Sequence, residues 1–85
     1  MDARFKALSN ETRREILLLL AEGPMTAGRL QERFPITFAS LSYHLSVLKY
    51  SGLVTAKKEG QYRLYDLNRE ALEGMVLWLS GLVEC

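Results

Sequence analysis

The stretch "FASLSYHLSVLK", residues 38–49, gathers the chemically capable side chains of this 85-residue chain: three serines, a tyrosine and the only histidine, His44. Hydroxyls, a phenol and an imidazole suit nucleophilic catalysis, metal ligation or recognition through hydrogen bonds. Catalysis finds no partners. The sequence has no G-x-S-x-G elbow, no phosphate-cradling glycine loop and no suggestive Ser-His-Asp set. Zinc needs about four soft or borderline ligands at defined spacing. One histidine and one cysteine, Cys85 at the last position, cannot supply them within a chain. The expectation is therefore no enzyme, no metal site and no cofactor, which leaves recognition.

A helix over this stretch has two faces. At 100° per residue, Leu41, Leu45 and Leu48 fall within about 60° of each other and define a buried side. Ala39, Tyr43, Ser46 and Tyr50 lie opposite, Ser40 and Ser42 flank them, and His44 sits on the border. No acid occurs on the exposed side. Short hydroxyls permit close approach to a surface and bond base edges or phosphates, and a carboxylate there would repel DNA. Charge along the chain agrees. Residues 37–65 carry four basic side chains against one acidic, whereas residues 66–85 carry one against four. A polyanion should meet the middle of the chain and avoid the tail.

The elements that must position this helix follow from the punctuation. Residues 3–8 read as a short helix. Asn10 caps a second helix, apolar nearly all round, which stops at Gly23-Pro24. Thr26 caps a third, "AGRLQERF", with Leu30 and Phe34 inward and Pro35 ending it. Thr37 caps the fourth, which reaches Tyr50 and ends at Ser51-Gly52. "LVTAKKEGQYRLYDL" reads as a β-hairpin turning at Glu59-Gly60. Asn68 caps a last helix with an apolar stripe of Leu72, Met75, Val76, Leu79, Leu82 and Val83. The chain is thus expected to be one domain over 1–85, mainly α with a β-hairpin wing, in the order α-α-α-α-β-β-α. Helices three and four, joined by only "PI" or "PIT", form a helix-turn-helix, and the basic hairpin after them makes it winged. Lys57, Lys58 and Arg63 at the hairpin tip would neutralise phosphates.

The segments "FKALSNETRREILLLL", "MTAGRLQERF", "SYHLSVLKYSGLV" and "KKEGQYRLYDL", in this order over nearly the whole chain, resemble the ArsR/SmtB family of winged-helix repressors. "MTAG" and "WLSGL" are most similar to its SdpR-type autorepressor branch. The resemblance implies a transcriptional repressor, with autoregulation as the role its SdpR-type branch suggests, that binds an inverted-repeat operator as a homodimer built on the first and last helices. It places the base-facing positions on Phe38, Ala39, Ser42 and Tyr43, three of which the helical wheel also selects. Many relatives carry glutamine where this chain has Phe38 or Tyr43. Glutamine reads adenine through a bidentate pair and these rings cannot, so a different base preference follows. His44 matches a common family histidine, with its role open between DNA contact and packing support. Metal-sensing members use cysteine clusters on the third helix or histidine and acidic pairs on the last; neither is present here.

The full DNA-facing set expected is Thr37, Phe38, Ala39, Ser40, Ser42, Tyr43, His44, Ser46, Lys57, Lys58 and Arg63. The expected dimer interface is Phe5, Leu8, Leu72, Met75, Val76, Leu79 and Leu82, since the last helix holds more apolar residues than one small core needs. The alternative is a winged-helix interaction module that docks on, or is controlled by, a protein partner, a membrane protein included. The start "MDARFKALSN" has no apolar signal segment, and the longest apolar runs are about half a bilayer span or less. A cytoplasmic location without membrane insertion is expected, and a reducing compartment suits a lone cysteine, Cys85, whose redox role is open.

Overall fold

A computed structural model describes residues 2–84, and four side-chain caps set where its longer elements begin. The Asn10 carboxamide oxygen accepts from Arg13 N at 3.1 Å and starts α2, Glu11–Leu20. Thr26 Oγ1 accepts from Arg29 N at 3.2 Å and starts α3, Ala27–Gln31. Thr37 Oγ1 accepts from Ser40 N at 3.1 Å and starts α4, Phe38–Ser51. The Asn68 oxygen accepts from Ala71 N at 3.3 Å and starts α5, Arg69–Glu84. Each cap satisfies one of the amide donors that a helix start leaves unpaired. A short α1, Asp2–Leu8, precedes them. Its last carbonyls are taken from α2: Arg13 Nε donates to Ala7 O at 2.8 Å and Arg14 Nη1 to Leu8 O at 2.7 Å.

The hairpin forms, with its turn one residue later than expected, at Gly60-Gln61, because Glu59 still pairs with Tyr62, and it gains a third strand. β2, Val54–Glu59, pairs antiparallel with β3, Tyr62–Leu67, around a two-residue loop. Only Gly60 in that loop has positive φ, 61°, the pattern of a type II′ turn with glycine first. β1, Met25–Thr26, pairs with the other edge of β3, giving the order β1-β3-β2. Two residues carry no periodicity, so the sequence offered no sign of β1; it forms where the chain, leaving α2 at Ala21 and turning through Gly23, φ 153°, brings Met25 opposite Tyr65.

The third helix is shorter than expected. It ends at Gln31, and residues 32–37 make the joint to α4 in place of two or three residues. Arg33 N and Phe34 N bond back to Leu30 O and Gln31 O in tight turns, so Phe34 still packs against the core without belonging to the helix. Gln31 Nε2 donates to Ile36 O at 2.6 Å and braces the joint. At the other end of α4, Gly52 adopts φ 87°, a left-handed cap that a Cβ would disfavour.

The core is one cluster: Ala7 of α1, Ile16, Leu17 and Leu20 of α2, Leu30 of α3, Leu41, Leu45 and Leu48 of α4, Leu53, Val54 and Tyr65 of the sheet side, and Ala71 and Met75 of α5. Burying α4's leucines against α2 and the sheet fixes which face of α4 is left outside. No residue of α5 beyond Met75 is buried, so this helix extends past the body of the chain. The radius of gyration, 13.5 Å, exceeds the roughly 12 Å of a compact chain of this length, and the long dimension is 47 Å.

Candidate nucleic-acid interface

Leu41, Leu45 and Leu48 are buried at 0–2% exposure, and this anchors the orientation of α4. Thr37, Phe38, Ala39, Ser42, Tyr43 and Ser46 are exposed; Ser40 and His44 are half-buried. Phe38 and Tyr43 show 60% and 63% of their surface. Large aromatic side chains left that open on a helix with an otherwise small, uncharged surface offer contact area to a partner. The Thr37 oxygen already accepts one bond in the α4 cap, which leaves its hydroxyl proton and one lone pair available.

His44 is held rather than free. Arg13 Nη1 donates to His44 Nδ1 at 3.3 Å. A guanidinium has no acceptor, so Nδ1 carries the lone pair and the ring proton sits on Nε2. Burial, and then the positive Arg13, hold the imidazole pKa below its usual value. The ring also lies 5.6 Å from that of Tyr43, tilted by 59°. Arg13 bonds Ala7 O, Lys6 O and His44 together, so one side chain ties α1, α2 and α4. Sequence reasoning missed Arg13: its partner is 31 residues away and no local pattern announces it.

Two elements border the exposed face of α4. On one side Asp2, Ala3 and Lys6 of α1 face Tyr43, Val47 and Tyr50 across an apolar groove of about 500 Å³. On the other lies the sheet. Register separates the three wing cations that the sequence had treated alike. Lys58 stands opposite Arg63 and shares the sheet face of Val54, Ala56 and Tyr65, which turns toward α4. Lys57 stands opposite Leu64 on the other face and is 3.9 Å from Glu59. Of the expected set, the structure therefore brings Lys58 and Arg63 onto the α4 side and directs Lys57 away from it.

A second surface lies on α1 and α5. Phe5 meets Trp78 edge-on with ring centroids 5.7 Å apart, and Phe5, Leu8 and Leu72 are half-buried. Val76, Leu79 and Leu82 are exposed, together with Leu77, Trp78 and Val83. Met75 departs from its expected place in the interface. It is 3% exposed within its own chain, because α5 still packs on the core at that point, whereas Leu79 and Leu82, on the same side of the helix one and two turns further on, lie past the core. Among the described residues, no three His, Cys, Asp or Glu side chains converge on one point, and no helix is long and apolar enough to cross a membrane. Cys85 lies outside the described residues.

Known proteins share this arrangement. A helix-turn-helix domain model matches residues 8–56. The transcriptional repressor SdpR of Bacillus subtilis (strain 168) is 40% identical over 83 residues, covering 98% of this chain and 92% of that protein. The arsenical resistance operon repressor of the same organism is 37% identical over 76 residues, covering 88% and 72%. The solved structure of an ArsR-like transcriptional regulator from Rhodococcus sp. RHA1 superposes with a TM-score of 0.91 at 31% identity, covering 98% of this chain and 76% of the other.

Proposed function

The chain belongs to the ArsR family of winged helix-turn-helix transcriptional regulators, a DNA-binding and not an enzymatic family, and on that premise we propose that it is a repressor acting as a homodimer on an inverted-repeat operator. The observation that carries the DNA part is the exposed, acid-free face of α4 beside the two cations on the α4 side of the wing. Ala39, Ser42 and Tyr43 meet base edges, with Phe38 at the helix start and Ser46 further along. Lys58 and Arg63 bind phosphates. The phenol of Tyr43 donates or accepts a hydrogen bond, and its ring packs on a thymine methyl.

The dimer part is supported by the exposed half of α5. Residues 76–84 have little of their own chain to pack on, and an isolated helix that short is marginal in water. An apolar arc over Val76, Trp78, Leu79, Leu82 and Val83 suits a self-complementary two-fold contact. The acidic tail of the chain keeps that contact away from DNA. The signal that releases the repressor is not a metal ion, in keeping with the residue types on α3 and α5.

Selection of bound duplexes from a random pool tests the proposal. A two-fold symmetric motif is expected, with half-sites centred about one helical turn or a multiple apart, roughly 34–36 Å. Enrichment of a single unrepeated half-site would remove the dimer reading. No enrichment and no salt-dependent affinity would leave a winged-helix interaction module instead.

A further inference from the structure

The face of α4 runs into a cleft that the residues assigned to base contact do not fill. Leu45 and Tyr65 form its floor. Ser46, Lys49 and Tyr50 line it from α4 and Arg63 from β3, around about 310 Å³. No carboxylate lines it. The Lys49 and Arg63 side chains make no ion pair or hydrogen bond among the described residues, whereas Lys57 has Glu59. Lys58 stands directly across the ladder from Arg63, a like-charge pairing that is unfavourable by itself. Lys49 alone has a local explanation, since a cation in a last helical turn suits the helix dipole. That explanation does not extend to Arg63, which reaches the same cleft from another element.

The chemistry is that of a phosphate oxyanion. A guanidinium can engage two of its oxygens, an ammonium acts as a point charge, and the Ser46 and Tyr50 hydroxyls add neutral donors. Tyr50 is 90% exposed, so its hydroxyl is unhindered. Cations on both walls of one cleft can hold an anion between them from two directions, where a single cation would only attract it.

We infer that this cleft is a phosphodiester clamp, in which Lys49 of α4 and Arg63 of the wing hold one and the same backbone phosphate of the bound DNA. The inference rests on the DNA-binding reading and deepens it. The clamp joins helix and wing through the DNA itself. It thereby sets how far along the groove α4 lies when Tyr43 and Ser42 meet the bases.

The test uses the full chain and a duplex that the wild type enriches from a random pool. Dissociation constants are measured against salt for Lys49→Ala, Arg63→Ala, the double variant and Arg63→Lys, with helical content checked for each. Each alanine variant is expected to bind about 10-fold more weakly. The double variant loses about as much as either single, and the slope of log K against log salt falls by about 0.9 once, as for one phosphate. Arg63→Lys recovers only part of the affinity that Arg63→Ala loses, since the charge remains but the second oxygen contact is gone. Uncharged methylphosphonates placed one at a time should reveal one position per half-site that weakens the wild type and leaves the double variant unchanged. Losses that multiply to about 100-fold, with the slope falling by about 1.8, mean two separate phosphates and overturn the clamp. So does the absence of any such methylphosphonate position. Saturable binding of inorganic pyrophosphate, abolished by Lys49→Ala while duplex affinity is unchanged, would make the cleft a site for free anions instead. If no duplex is enriched, the DNA reading fails and the clamp with it; an enriched duplex with multiplying or absent losses removes the clamp alone.

Discussion

Replacing Leu82 with alanine should separate the protomers of the dimer without unfolding them. Leu82 is 59% exposed in the single chain. Burying a whole leucine side chain contributes about 1.5–3 kcal/mol, so covering the open three-fifths contributes about 1–2 kcal/mol. A two-fold contact uses the residue twice, which makes about 2–4 kcal/mol for the pair. At about 1.4 kcal/mol per factor of ten, the dimer dissociation constant should rise roughly 30- to 1000-fold. Sedimentation equilibrium over a range of protein concentrations reads this directly. Circular dichroism should show the same helical content, apart from the end of α5. Leu77 is the control. It is 73% exposed, more than Leu82, but lies about 140° around the helix from it and outside the apolar arc. Leu77→Ala should change the constant by no more than a few-fold. Equal effects at both positions would show that α5 does not present one face to its partner. A dissociation constant unmoved by Leu82→Ala, or a wild type that stays monomeric at every concentration, would refute the α5 interface.

Tyr43→Ala should change which sequences are enriched from a random pool, whereas Lys58→Ala should weaken all sequences alike and flatten the salt slope by about 1; the same uniform loss for both would abolish the division between reading and holding. His44 predicts an acid-sensitive fold. Its pKa is lowered in the folded chain by burial and by Arg13, so its contribution is fully present above the unfolded value of about 6.5 and is lost as pH falls through the folded one. The melting temperature should drop between pH 7.5 and 5.5 by more in the wild type than in His44→Gln, and identical drops would assign the transition to other groups. Gly52→Ala forces a Cβ onto φ 87° and should cost about 1–2 kcal/mol, or roughly 4–16 °C in melting temperature; an unchanged melt would mean that the α4 cap relaxes to another conformation.

The sequence by itself determined where the elements begin and which face of α4 is buried. Asn10, Thr26, Thr37 and Asn68 each bond an amide three residues ahead, and Leu41, Leu45 and Leu48 recur at the helical period. Interactions of that range are fixed by neighbours along the chain, so they can be read without knowing its path. Gly60 set the hairpin turn for the same reason. Tertiary structure decided the rest. Met25 became a strand residue only because Tyr65 came alongside it, and α3 stopped at Gln31 because the joint to α4 had to turn there. His44 acquired its tautomer and its lowered pKa from Arg13, 31 positions away. Met75 carried the same apolar signature as Val76 and Leu79, yet only the packing of α5 on the core put it inside and left them out. Lys57 and Lys58 are adjacent and chemically identical, and strand register alone turns one toward α4 and the other away. Periodicity says that a face exists; the fold of distant segments says what that face meets.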